Sequence, residues 1–365
     1  MEESKEERRE ELIQHKLLKK RLGKFYTENY QHIMQGFELP PLSETHFIEP
    51  FVGKGHLLEF LKSYYKTDLV NIQISFYDLE SHVEGTQVRD SIQNPPDYEN
   101  RFVITNPPFL ALNKTKEKET FHMYGSNDLY KCFLKTLIHR NCQGGLLIIP
   151  INFWSSIRKN DILLRQLFLQ KYKVKKMNLF EERVFHDTSF MVTSFLFERR
   201  EEGDDDFHIP TTIFPSKKEV RFEISEYTYW MIGGDLYHLP QNEGITVTRV
   251  YEKDNVQNPN TRLFLHALDD GIEKRIHLEF VTDREISIGK ESDRSFCSLS
   301  IHPPLQDEEQ RLLADRFNNF LEKKRREYHS MFLTNYRESR EFARKRISFQ
   351  LSYDIINYLI SHPTE

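Results

Sequence analysis

Between His46 and Arg200 the hydrophobic period of the chain switches repeatedly, and that alternation constrains the fold more than any other feature. Short apolar runs, "HFIEPF", "IQISFYDLE", "RFVITNPPF", "GGLLIIPINFW", "KVKKMNLFEE" and "SFMVTSFLFE", read as strands. Between them "GHLLEFLKSYY", "SNDLYKCFLKTLIHR" and "RKNDILLRQLFLQKY" repeat their apolar residues at helical spacing. Parallel neighbours need a long crossover, which a helix supplies. The pattern therefore predicts an α/β fold built on a doubly wound, mostly parallel sheet. The last two strands lie close together and are expected to form an antiparallel hairpin at one edge.

Outside this block the pattern changes twice. Residues 1–21 mix acids and bases at helical spacing and read as an exposed helical arm. "REEGDDD", 200–206, reads as a domain boundary. After it "FHIPTTIF", "EVRFEIS", "YTYWMIGG", "ITVTRVY" and "RIHLEFVT" suggest a small β-rich module over 207–303, the natural place for target recognition. From Pro304 to residue 365 a basic, helical segment is expected, led by one long amphipathic run from Leu305 to Leu333. No internal repeat is visible.

Charge and cysteine content exclude several classes. A formal net charge of −5 in 365 residues gives no global basic field. The three cysteines are far apart, which points to a reduced, intracellular (cytoplasmic) protein rather than a disulfide scaffold. The fifteen histidines show no ligand spacing along the chain, so no metal is expected. The longest apolar run, Gly145 to Trp154, is broken by Pro150 and is too short to span a bilayer, so no membrane is expected.

The strand ends carry the chemistry. "FIEPFVGKG", 47–55, puts Gly53 and Gly55 between a strand and a helix, where the backbone can approach a ligand closely. The third glycine of a dinucleotide fingerprint is missing, and Glu49 would repel a pyrophosphate. An acid there suits a cationic group such as an amino-acid ammonium. Asp78 ends the second strand, placed to accept from ribose hydroxyls. Asp90 falls at the end of the third, able to accept from an adenine amine, with Ile92 as an apolar wall. Taken alone, the glycine pair is better read as an ordinary strand-to-helix turn, Asp78 equally well as a solvated strand end, and Asp90 also as a turn residue.

The fourth strand ends in Asn106, Pro107, Pro108 and Phe109. Two prolines stop the strand and fix an extended step. An exocyclic amine is a weak nucleophile because its lone pair is delocalised into the ring. If the Asn106 side-chain oxygen and the Pro107 carbonyl both accept from it, the amine is held tetrahedral and its lone pair is released. Preorganised polar partners of this kind are each worth about 10²–10³ in rate. Phe109 offers a ring for stacking on the base.

These segments, in this order, resemble the γ-arranged, SAM-dependent DNA N6-adenine methyltransferases of restriction–modification systems. The resemblance covers residues 22–200. It rests on "GKFYT" at 23–27, "EPFVGKG" at 49–55, Asp78, Asp90, "NPPF" at 106–109, "NDLYKCFLK" at 127–135 and "GGLLIIPINFW" at 144–154. It implies a class I methyltransferase fold with a seven-stranded sheet and S-adenosylmethionine bound by Tyr26, Thr27, Glu49, Pro50, Phe51, Gly53, Gly55, Asp78, Asp90, Ile92 and Asn106. It implies direct methyl transfer to an adenine flipped from duplex DNA, with Phe109 and Phe185 stacking on the base, and a separate cognate restriction endonuclease acting on the same site. The motif's aromatic is Phe where Tyr is commoner. "QNPPDY", 93–98, repeats the prolines but follows no strand and reads as a loop.

Only about fifty residues separate Gly55 from Asn106, barely two βα units, so sequence readout falls to the C-terminal part. There, between Arg316 and Arg346, ten Lys and Arg stand against four Asp and Glu, a net of +6. Lys323, Lys324, Arg325, Arg326, Arg344, Lys345 and Arg346 are the candidate phosphate contacts. The rival readings are an RNA adenosine methyltransferase, including the cap type, a non-catalytic nucleic-acid-binding subunit, and a protein glutamine methyltransferase. An RNA reader should display exposed stacking rings, whereas a duplex reader should lie along a groove.

Overall fold

The structure is a computed structural model and describes residues 27, 29–182, 184–185, 191–251, 259–269, 271, 275–282, 288–336 and 344–363. The expected N-terminal helical arm lies outside the described residues. The chain divides into two compact units, one of residues 1–153 and 158–223, the other of 154–157 and 224–365.

The first unit is built on one sheet. Its strands are β1 (Phe47–Glu49), β2 (Ile74–Asp78), β3 (Gln87–Val88), β4 (Phe102–Thr105), β5 (Gly144–Pro150), β6 (Tyr172–Phe180), β7 (Val192–Arg199), β8 (His208–Phe214) and β9 (Lys218–Glu223). The spatial order is β3-β2-β1-β4-β5-β7-β6-β8-β9. β1 pairs in parallel with both β2 and β4, and β4 with β5. Every residue of β4 and β5 is buried, as central parallel strands covered on both faces require. Gly145 shows how tightly β5 is set: a Cβ there would stand 2.4 Å from the Val103 carbonyl oxygen. The expected helices are present as α1 (His56–Tyr65), α3 (Leu129–Arg140) and α4 (Lys159–Lys171), with a short α2 (Glu119–Tyr124) between the first two.

The doubly wound, mostly parallel sheet is therefore as expected, but among the described residues it has nine strands rather than seven. The β6–β7 hairpin is not at the edge. β7 lies antiparallel between β5 and β6, and β8 pairs in parallel with β6. β8 and β9, read from the sequence as the start of a separate module, belong to this unit. The acidic stretch that suggested a boundary is a turn in which Asp204 and Asp206 are met locally. Asp204 lies 3.0 Å from Lys173 Nζ and 3.2 Å from Arg200 Nη1. Asp206 accepts from the His208 amide and ring, and these bonds hold its carboxyl far below the usual range.

The second unit has a four-stranded antiparallel sheet in the order β10 (Thr246–Arg249), β13 (Phe296–His302), β11 (Leu263–His266), β12 (His277–Phe280). Two helices complete its core, α5 (Asp307–Glu327) and α6 (Phe349–Ser361). Leu263, Leu265, Leu278 and Leu299 of the sheet share one apolar cluster with Phe317, Leu321, Leu351 and Ile355 of the helices. A capping box between Gln306 and Glu309 starts α5, and Ser348 caps α6 by accepting from the Leu351 amide.

Two sequence expectations change here. "YTYWMIGG" forms turns and leads into a 3₁₀ turn, Gly234–His238, rather than a strand. The basic stretch after α5 is not helical where described: β14 (Thr334–Tyr336) and β15 (Arg344–Arg346) form an antiparallel hairpin. It is tied to the end of β11, because the Lys345 carbonyl accepts from Asp269 N and the Ala267 carbonyl from Ile347 N. A basic composition cannot display those backbone partners. β11 and β13 are not among the strands read from the sequence and come only from the structure. Among the described residues no helix is long and apolar enough to cross a membrane.

Candidate active site

The strand order reverses between β1 and β4, the point where open α/β sheets bind ligands beyond their carboxyl ends. A cavity of about 360 Å³ lies there, within the range of small-molecule sites. Its walls include Phe51, Gly53, Asp78, Asp90, Ile92, Asn106 and Pro108. Seven of the residues expected from the strand ends are thus brought together at one opening.

The local architecture explains their positions. Gly55 has φ +80° and starts α1, its amide bonded to the Val52 carbonyl, a turn that a side chain would strain. Asp78 Oδ2 accepts from the Gly53 amide at 2.9 Å, so the second strand's acid anchors the glycine turn as well as lining the cavity. Asp90 Oδ1 accepts from the amides of Ile92 and Gln93, both at 2.9 Å. The ordinary turn role and the cavity position coexist in one carboxylate, which has a second oxygen for other partners.

Glu49 and Pro50 are buried but are not among the cavity-lining residues. Glu49 Oε1 accepts from the Phe51 amide at 3.0 Å and from Thr105 Oγ1 at 2.5 Å. Its other oxygen, Oε2, is buried with no hydrogen-bond partner among the described residues. Burial pushes this carboxyl up to about 8, Asp78 adding to the effect and the two hydrogen bonds opposing it. A buried carboxylate with one oxygen unmatched fits a cationic ligand.

Asn106 is held by the N-terminal motif: its Nδ2 donates to Thr27 Oγ1 at 3.1 Å. Thr27 is itself buried. Tyr26 lies outside the described residues. Downstream, the segment after the two prolines is fixed to the start of α3. Leu110 N donates to Asp128 Oδ1 at 3.1 Å, and Leu129 N to the Leu110 carbonyl. Burial, against the pull of Lys131, raises the Asp128 carboxyl to about 7.

The two expected stacking rings are not open plates. Phe109 is only 2% exposed, and its ring meets Tyr130 edge to face with centroids 6.2 Å apart. Phe185 is equally buried. Neither is among the lining residues. An apolar ring following a buried strand is pulled inward by the same core that orders the strand.

Other wall residues were not singled out from the sequence. Leu79, Arg89, Leu110, Glu119 and Phe121 also line the cavity. Leu79 had a signal in the sequence, an apolar residue directly after an acidic strand tip, and it is half-exposed. The segment from Leu110 to Phe121 had none, because it is irregular and gains its place only by closing on α3.

The C-terminal basic cluster separates into distinct roles. Arg325 is buried and forms a bidentate pair with Asp269, Nη2 to Oδ1 at 2.8 Å and Nη1 to Oδ2 at 3.1 Å. It is a core residue of the second unit and not a phosphate contact. Lys324 bonds Glu327 at 2.7 Å and lies over the Tyr328 ring. Lys345 Nζ reaches the His329 carbonyl at 3.5 Å, and Arg344 and Arg346 pair through their backbones in the β14–β15 hairpin. Lys323 and Arg326 are the exposed members of the group on α5.

Comparison with known proteins bears on the same region. Residues 56–185 match the family described as Eco57I restriction-modification methylase. No curated protein matches the chain. Among solved structures, the chain resembles the methyltransferase subunit of a type I restriction–modification system from Streptococcus thermophilus, at 14% identity over 52% of this chain and 47% of that one, TM-score 0.37. It also resembles the M protein of the type I restriction enzyme EcoKI, at 14% identity over 54% and 47%, TM-score 0.36. A third is the type IIG restriction endonuclease BpuSI, at 13% identity over 63% and 36%, TM-score 0.39. The chain thus spans less than half the length of each of these three solved proteins.

Proposed function

We propose that the protein is a SAM-dependent DNA methyltransferase acting on adenine N6. The observation that carries this reading is Asn106: it heads the "NPPF" step, stands on the wall of the cavity shared with Asp78 and Asp90, and has its amide held by Thr27. The cavity suits the adenosyl portion of S-adenosylmethionine. Asp78 would accept from the ribose, Asp90 and Ile92 would flank the adenine, and the buried Glu49 carboxylate would balance the ammonium. When bound, S-adenosylmethionine supplies the electrophilic methyl group.

The chain's own part is to hold and activate the target amine. With Nδ2 committed to Thr27, the Asn106 amide is oriented so that its oxygen is the acceptor. The rigid prolines set the Pro107 carbonyl as the second acceptor. Both acceptors gain as positive charge builds on the amine, so they stabilise the transition state more than the ground state. Duplex DNA, with the adenine extruded, is the proposed substrate, and a cognate nuclease reading the same site is the proposed partner.

A second reading, methylation of RNA adenosine, is favoured by one feature of the second unit. Phe264 and Phe296 stack with centroids 5.7 Å apart at 23°, and Phe296 is 36% exposed. An exposed ring such as Phe296 is how unpaired bases are commonly stacked. The test presents the purified chain with labelled S-adenosylmethionine and either mixed-sequence duplex DNA or single-stranded RNA, followed by nucleoside mass spectrometry. N6-methyladenine in DNA supports the first reading, N6-methyladenosine in RNA the second, and neither product refutes both.

A further inference from the structure

β11 and β12 lie side by side at one edge of the second unit's sheet, with His266 directly opposite His277. Side chains alternate along a strand, so Glu279 falls on the same face as His277. The imidazoles of His266 and His277 stack with centroids 4.2 Å apart and planes 9° from parallel. His266 Nε2 is 3.1 Å from Glu279 Oε2. One donor atom from each of the three residues lies within 4.8 Å of the other two. His277 Nδ1 is 2.7 Å from the Arg275 carbonyl oxygen. A carbonyl only accepts, so Nδ1 carries the proton and Nε2 keeps its lone pair. Metal-binding imidazoles are oriented in this way.

We infer that His266, His277 and Glu279 form a binding site for a divalent transition-metal ion of the zinc class. Two donors each about 2.1 Å from one ion stand at most about 4.2 Å apart. The donor atoms all lie within 4.8 Å of one another, so the approach still needed between them is less than ~1 Å. The two imidazole planes are nearly parallel, so one ring must also turn out of the stack for both in-plane lone pairs to meet at the ion, and the exposed Glu279 can follow it. Two imidazoles and one carboxylate suit zinc, cobalt or nickel, whereas magnesium and calcium prefer oxygen ligands alone. A fourth position remains for water. The ligands lie eleven and two residues apart in sequence, and only cross-strand pairing brings them together. Among the described residues β12 has no neighbour beyond β11 in this sheet, so the ion would clip that strand in place. An ion held by the folded form alone raises the melting temperature.

The full-length chain, stripped with a chelator, should be titrated with Co²⁺ and followed by visible absorption, then with Zn²⁺ as competitor. The expected result is one Co²⁺ per chain, displaced by Zn²⁺, with Zn²⁺ raising the melting temperature. His266→Ala should weaken binding by more than about 100-fold, beyond the 10–100-fold typical of losing an outer partner. Glu279→Gln, a conservative change at an exposed position, should weaken it as well and should abolish the thermal shift. No stoichiometric Co²⁺ spectrum in the wild-type chain overturns the site. So does an unchanged spectrum in Glu279→Gln and His266→Ala, which would leave a surface hydrogen bond beside two stacked rings.

Discussion

Replacing Glu49 by Gln removes the charge that the site sets against an ammonium group. In the ligand-free protein burial moves this carboxyl from the ordinary 4.5 to about 8. Its proton is held more tightly in the folded than in the unfolded chain, so stability declines as pH rises through that window. Three and a half pH steps at 1.36 kcal/mol each make the full decline roughly 5 kcal/mol. A bound cation recovers that cost by pairing with the ionised form. Below about pH 8 binding must expel the Glu49 proton, so affinity for S-adenosylmethionine should fall about tenfold per pH step, or roughly 100-fold between pH 8 and 6. Above that, the ligand's amine loses its own proton near 7.7–8.0, roughly where an α-amino group titrates, so affinity should peak close to pH 8. Calorimetric titration in two buffers of different ionisation enthalpy should show about one proton released at pH 6.5 by the wild-type chain and none by Glu49→Gln. The variant should bind weakly with no acid slope. A wild-type affinity that is flat from pH 6 to 8 with no proton release would refute the assignment of Glu49 to the ammonium.

Arg325→Ala leaves Asp269 buried and unpaired, which should cost about 3–5 kcal/mol in denaturant unfolding of the second unit. In a background that still folds, it should leave the salt dependence of DNA binding unchanged, whereas Lys323→Ala with Arg326→Ala should flatten the log–log slope by about 0.9 for each phosphate no longer neutralised. Phe109→Ala should lower stability by about 3–5 kcal/mol, read as a reduced denaturation midpoint, because the ring is buried against Tyr130. Phe109→Tyr should keep near-wild-type turnover if the ring face is what matters, and a large loss of turnover at unchanged stability would exclude that role.

The strand–helix alternation was legible because parallel strands buried on both faces must be continuous apolar runs, as β4 and β5 are. The cavity acids were legible because strand tips at a switch point have few other places to go. The end of the first unit was not. Asp204 and Asp206 look like linker residues until Lys173 and Arg200 are seen beside them. Arg325 was half-legible. It follows Phe317 and Leu321 at intervals of four, so helical period alone puts it on the buried face of α5. Its partner Asp269 is 56 residues away and invisible to any local pattern. The β11–β12 histidines were illegible for the same reason, since cross-strand neighbours leave no spacing rule.

Asn106→Ala tests the central claim most directly. It removes one of two proposed acceptors while leaving Asp78, Asp90 and Ile92 in the cavity wall. Single-turnover methylation of DNA, read as N6-methyladenine by mass spectrometry, should fall by about 10²–10³ relative to the wild-type chain. Affinity for S-adenosylmethionine and DNA should change little. Methylation of adenine at the wild-type rate by Asn106→Ala would contradict the account.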